Sequence, residues 1–177
     1  RVYETIEKYN NEYGEVKGIP TGYPALDRAT LGLQRGDLII LAARPSVGKS
    51  ALSLAFALNA AKTGKSVAFF SLEMPANQLV ERMLSTVGHV PMEMIRKMDF
   101  TNGRAKNEMI KFEDATRKLS RYNIYIDDTP GARLIDIQAK ARKLKAEKED
   151  LCLIVIDYIG IVTLGNSKIT DRQQIVA

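Results

Sequence analysis

The apolar positions of this chain change period several times, and each change marks an element. Residues 38–42 (Leu, Ile, Ile, Leu, Ala) form an unbroken apolar run, as expected of a parallel strand covered on both faces. Residues 48–62 are apolar nearly all round, through Leu52, Leu54, Ala55, Phe56, Ala57, Leu58 and Ala61. That pattern predicts a well-buried helix, with Gly64 at its C-terminal cap. Val67, Ala68, Phe69 and Phe70 predict a second strand. Pro75 then suits the first turn of a helix that carries Leu79, Val80, Met83, Leu84 and Val87 on one face. Residues 88–122 are more polar but keep helical spacing at Ala105, Met109, Phe112, Thr116 and Leu119. Residues 123–126 read as a short strand that ends in Asp127 and Asp128. An amphipathic helix over 133–148 turns Leu134, Ile137, Ala141 and Leu144 inward. It pairs Asp136 with Lys140 and Lys143 with Glu147 outside. Residues 151–156 are the last strand, closing on Asp157.

This strand–helix alternation predicts an α/β fold, a mostly parallel open sheet with helices on both faces. Ligands of such sheets bind outside the carboxyl ends of the strands. Glu73, Asp127, Asp128 and Asp157 all fall there. Residues 1–18 read as a separate linker segment and 19–177 as one domain. Within the linker, Val2, Ile6, Tyr9 and Tyr13 make a weak apolar stripe before Gly14 and Gly18 break it. A frayed terminal helix and a linker helix docking on another subunit both fit that stripe.

Composition narrows the classes. With 45% hydrophobic content, 177 residues can bury one sizeable core. A net charge of +5 suits a polyanionic partner, although the charge is spread through the chain. The single cysteine, Cys152, excludes an intrachain disulfide framework and reads as a small core residue. The lone His89 argues against zinc. No apolar stretch is long enough to span a bilayer, and residues 1–13 are too polar for a signal peptide. The cytoplasm is the expected location, with no membrane partner.

The chemistry concentrates in one stretch. Directly after the apolar run come Ala43, Arg44, Pro45, Ser46, Val47, Gly48, Lys49, Ser50 and Ala51. A strand, a glycine-bearing turn and Lys-Ser opening a helix make a phosphate-binding loop, whose N–H groups and helix dipole meet a nucleotide's phosphates. Lys49 can reach the β and γ phosphates, and the Ser50 hydroxyl can ligate Mg²⁺. The general pattern opens with Gly, whereas this chain has Ala43. Asp157, ending an apolar strand, is the expected Walker B carboxylate that holds Mg²⁺. Glu73 fits two roles equally, an activator of the attacking water or a helix-terminal charge ahead of Pro75. Asp127 and Asp128 compete for the first of these. No Asn-Lys-x-Asp segment reads a guanine base, which disfavours a GTPase.

Several motifs also carry a resemblance. They are Gly18-Ile19-Pro20-Thr21-Gly22, Leu26-Asp27, Gly32-Leu33-Gln34-Arg35-Gly36-Asp37-Leu38, the loop itself, Ser71-Leu72-Glu73-Met74, Ile156-Asp157-Tyr158 and Arg172-Gln173-Gln174. In combination they resemble the RecA-like ATPase domain of DnaB-family replicative helicases, in which Ala43 is ordinary. The resemblance implies ATP and Mg²⁺ as ligands and Glu73 as the catalytic glutamate, with Lys49. It implies a homohexamer with ATP at subunit interfaces, single-stranded DNA in the channel, and primase and loader partners bound through other regions. Residues 163–173 would be a mobile loop facing the channel, with Lys168 and Arg172 on DNA phosphates; a solvent loop of no function is the alternative. Two departures stand out: Gly160 occupies a position where the family usually has Gln, and the family's later sensor strand and arginine finger lie beyond residue 177. Another RecA-like DNA-dependent ATPase, a recombinase or a loader-like nucleotide-binding module, is the alternative.

Overall fold

Ser66–Ser71 (β1) is buried along its whole length. A strand covered on both faces belongs inside a sheet, and β1 is flanked by Ile124–Asp127 (β2) and Leu151–Asp157 (β3), both parallel to it. The computed structural model describes residues 17–44, 46–97, 105–158 and 160. Among these the helices are α1 (Pro24–Thr30), α2 (Lys49–Lys62), α3 (Ala76–Gly88), α4 (Met92–Lys97), α5 (Ala105–Leu119) and α6 (Leu134–Glu147). The register sets Phe70 beside Asp127 and Ser71 beside Asp157, so the carboxyl ends of the strands finish level.

The pleat of β1 divides the core in two. Val67 and Phe69 pack with Leu54, Leu58, Leu79 and Met83 from α2 and α3. Ala68 and Phe70 pack with Ile137 of α6 and with Ala132 and Leu151. Helices therefore cover both faces, as the strand–helix alternation predicts. Burial of each such large side chain contributes about 1.5–3 kcal/mol. Phe69, Leu58, Leu79 and Met83 are the largest of the wholly enclosed ones.

Ahead of α2 lies a polar clamp. Asp27 on α1 is buried, and its Oδ1 accepts hydrogen bonds from the Thr21 N–H (2.8 Å) and the Thr21 hydroxyl (2.7 Å). Its Oδ2 accepts from the Gly22 N–H at 3.2 Å. Burial opposes the charge on Asp27, but the donors from Thr21 and Gly22 outweigh it and hold the carboxyl below its ordinary range. Asn59 of α2 donates to the Thr21 carbonyl at 2.8 Å, and Tyr23 meets Phe56 edge to face with centroids 6.0 Å apart. The entry segment is thereby fastened to the helix that Lys49 begins.

Four expectations change in detail. Residues 38–42 make no ladder with the described strands, and Leu38, Ile39 and Ile40 are exposed. An apolar run specifies burial but not a partner, and both edges of β1 are already taken by β2 and β3. Pro75 is the N-cap of α3 rather than part of its first turn. On α5 the buried position is Ala115, not Thr116, because Gly88 of α3 approaches there. A Cβ on Gly88 would lie 2.9 Å from the Ala115 Cβ. Finally, Asp136 pairs with Arg133 (2.8 Å), while Lys140 turns to Asp127 and Thr129. Lys143 and Glu147 do approach, to 3.9 Å.

Candidate nucleotide site

The apolar strand β3 ends in Asp157, whose carboxylate is almost fully enclosed (side chain 6% exposed). Lys49, the first residue of α2, brings its Nζ to 3.2 Å from Asp157 Oδ1. The lysine that opens α2 and the carboxylate that ends β3 thus meet at the carboxyl edge of the sheet. The same ammonium lies 4.0 Å from the centroid of the Tyr158 ring.

The loop turns through two residues of positive φ. Gly48 has φ +109°, a backbone conformation that side-chain-bearing residues rarely adopt, and Ser46 has φ 65°. Gly48 is also the N-cap of α2, and no side chain caps the helix, so its first N–H groups remain available to phosphate oxygens. Ala43, Arg44, Ser46, Val47, Gly48 and Ala51 are exposed, and Ser50 follows Lys49 on the first helical turn. Pro45 lies outside the described residues, as do Lys168, Arg172, residues 163–173 and the stripe at Val2, Ile6, Tyr9 and Tyr13.

The competing acidic groups separate cleanly. Asp127 pairs with Lys140 and accepts from the Thr129 N–H. Burial raises its pKa, yet the bonds from Lys140 and Thr129 prevail, so its carboxyl sits below the ordinary range. Asp128 accepts the Ala76 N–H at 2.8 Å and so satisfies the start of α3. Glu73 lies two residues beyond β1, exposed and without a hydrogen bond or ion pair among the described residues. Of the three, Glu73 alone has its carboxylate uncommitted.

Among the described residues no three His, Cys, Asp or Glu side chains gather as a metal cluster. An Mg²⁺ ion would therefore rest on Ser50, Asp157, phosphate oxygens and water, a donor set that suits its preference for few protein ligands. The role of Tyr158 against Lys49 was not foreseeable from spacing, since only its adjacency to Asp157 hints at it. Asp27 was legible only as part of a motif. No described helix is long and apolar enough to cross a membrane.

A parallel α/β sheet with helices on both faces, and with a lysine meeting the carboxylate at a strand end, is consistent with the RecA-like fold. The chain matches the DnaB-like helicase C terminal domain over residues 18–177, and it belongs to that family. It is 47% identical to the replicative DNA helicase DnaC of Bacillus subtilis, over 100% of this chain and 38% of that protein. The replicative DNA helicase DnaB of Geobacillus stearothermophilus is likewise 47% identical, with 38% of its length covered. The fold also superposes on the solved structure of a DnaB-like replicative helicase described with its interactions with primase. The TM-score is 0.84 at 28% identity, covering 98% of this chain and 42% of that one. The chain thus spans well under half the length of these relatives.

Proposed function

We propose that this chain is the motor domain of a hexameric replicative DNA helicase, which hydrolyses ATP with Mg²⁺ and moves along single-stranded DNA to unwind duplex. The observation that carries the reading is the meeting of Lys49 and Asp157, 3.2 Å apart, at the sheet edge where β1 leads into the uncommitted Glu73. The loop residues 43–51 would cradle the phosphates, all but Pro45 offering a backbone N–H, and Lys49 would face the β and γ oxygens as a point charge. Ser50 and Asp157 would hold Mg²⁺, which would offset charge building on the phosphates. Glu73 orients the attacking water and accepts its proton.

Lys168 and Arg172 are proposed to touch DNA phosphates in a central channel. An arginine finger from the next subunit would complete each site. Residues 1–18 would serve as a linker, and primase and a loader would bind regions outside this chain. The cytoplasm is the proposed setting.

The test is ATP turnover by this chain and by a form extended to the length of its relatives, each with and without single-stranded DNA. Glu73→Gln is expected to lower turnover by about 10²–10⁴-fold while nucleotide still binds. DNA should stimulate only the extended form. Full turnover by the isolated chain, indifferent to DNA and to Glu73→Gln, would refute the reading.

A further inference from the structure

Lys49 is held from two sides, and only one of them is an ion pair. Its Nζ lies 3.2 Å from Asp157 Oδ1 and 4.0 Å from the centre of the Tyr158 ring. An ammonium over an aromatic face is attracted by the ring quadrupole, and Tyr over Lys is a standard pairing of this kind. The ring is 37% exposed, so it forms part of the rim of the site and not of the core.

Gly160 explains how the ring reaches that place. A Cβ on Gly160 would lie 2.8 Å from Tyr158 Cε2 and 3.2 Å from Cδ2. Ring atoms move together, so a side chain at this position would push the whole face off Lys49. A tyrosine beside the Walker B carboxylate and a glycine two residues on act as one seat.

We propose that Tyr158, given room by Gly160, is a positioning residue that holds Lys49 on Asp157, and that nucleotide binds by drawing the lysine off this seat. The inference rests on the nucleotide reading of the loop and adds a regulating element to it. One ammonium serves either the Asp157–Tyr158 seat or the phosphates. Whatever stabilises the seat is therefore subtracted from nucleotide affinity. The same movement releases Asp157 to hold Mg²⁺, so phosphate and cation each favour the other's entry. A partly exposed cation–π contact is worth roughly a two- to fivefold change in an equilibrium constant.

Equilibrium binding of the fluorescent nucleotide mant-ATP, with Mg²⁺, tests this on the whole chain. Tyr158→Leu and Gly160→Ala should each bind roughly two- to fivefold tighter, and Tyr158→Phe, which keeps the face, should restore the original affinity. A residue with a merely structural role would weaken binding when replaced. Lys49→Ala reports on the loop itself. If it binds as well as the parent chain, the nucleotide reading fails. If it binds at least about tenfold more weakly while Tyr158→Leu and Gly160→Ala are unchanged or weaker, the seat alone is overturned. Should Tyr158→Leu not fold, Gly160→Ala carries the test, with carbon-13 NMR of the parent chain beside it. There the Lys49 ε-methylene should resonate upfield under the ring current and move downfield when nucleotide is added. An unshifted resonance before nucleotide addition would overturn the proposal.

Discussion

Replacing Asp27 by Asn removes one formal charge and almost no volume, so its effect isolates the polar clamp before α2. The carboxylate accepts three hydrogen bonds, from the Thr21 N–H and hydroxyl on Oδ1 and from the Gly22 N–H on Oδ2. An amide keeps one acceptor oxygen. Placed toward Thr21, it turns an NH₂ donor against the Gly22 N–H, so one bond is lost and the other two lose their charge assistance. Hydrogen bonds to ionised groups contribute about 1.5–3 kcal/mol each and neutral ones about half that. The bonds alone account for about 3–6 kcal/mol, and because burial opposes the charge on Asp27 its removal returns part of this, leaving a net loss of about 2–4 kcal/mol. For a chain of this size that lowers the melting temperature by roughly 4–15 °C. The sign of the pH effect is also fixed. The folded carboxyl titrates below its unfolded value, so its contribution is full above the unfolded pKa of about 4 and is lost as pH falls through the folded one. The gap between parent and variant should therefore be widest at neutral pH and narrow in acid. Thermal melts followed by circular dichroism from pH 7 down to pH 3 give both quantities. A melting point within a degree of the parent at pH 7, or a gap that stays constant into acid, would refute the reasoning.

Two further substitutions probe the scaffold. Gly22 has φ +84°, and a Cβ there would fall 2.0 Å from Asn59 Nδ2; Gly64 has φ +82° but open space around it. Gly22→Ala should cost about 2–4 kcal/mol, strain plus the broken Asn59–Thr21 bond, against about 1 kcal/mol for Gly64→Ala, and urea denaturation separates them. Asp128→Ala should remove about 0.5–2 kcal/mol by uncapping α3, with a matching loss of amide protection at Ala76 in hydrogen exchange.

Local pattern was enough for β1, α2, α3, α6 and β3, because burial of Val67, Phe69, Leu58 or Ile137 follows directly from side-chain period. It was not enough wherever a partner distant in sequence decides. Thr116 and Ala115 are equally placed by spacing, and only the close approach of Gly88 selects the smaller residue. Lys140 had Asp136 at helical distance and Asp127 at the end of β2, and the fold delivers the second. The apolar run at residues 38–42, exposed at Leu38, Ile39 and Ile40, shows the same limit from the other side, since hydrophobicity asks for a neighbouring strand without naming one. At the site, Lys49, Asp157 and Glu73 could be named from motif and strand ends. That Asp127 is engaged by Lys140 and Asp128 by the Ala76 N–H is visible only in the fold.

The bond from Asp128 to the start of α3 has a consequence for timing. Glu73 sits on a short bridge anchored at one end by the buried strand β1 and at the other by a helix that Asp128 secures from the end of the neighbouring strand β2. A second tie, from the Ser71 hydroxyl to the Met74 carbonyl at 2.6 Å, closes the bridge on itself. With the main chain pinned, the carboxylate explores its positions by side-chain rotation alone, a process of picoseconds to nanoseconds at an exposed residue. Turnover in enzymes typically takes about a tenth of a second. In the proposed reaction Glu73 would sample its orientations many millions of times in a cycle of that length, and slower parts would set the clock.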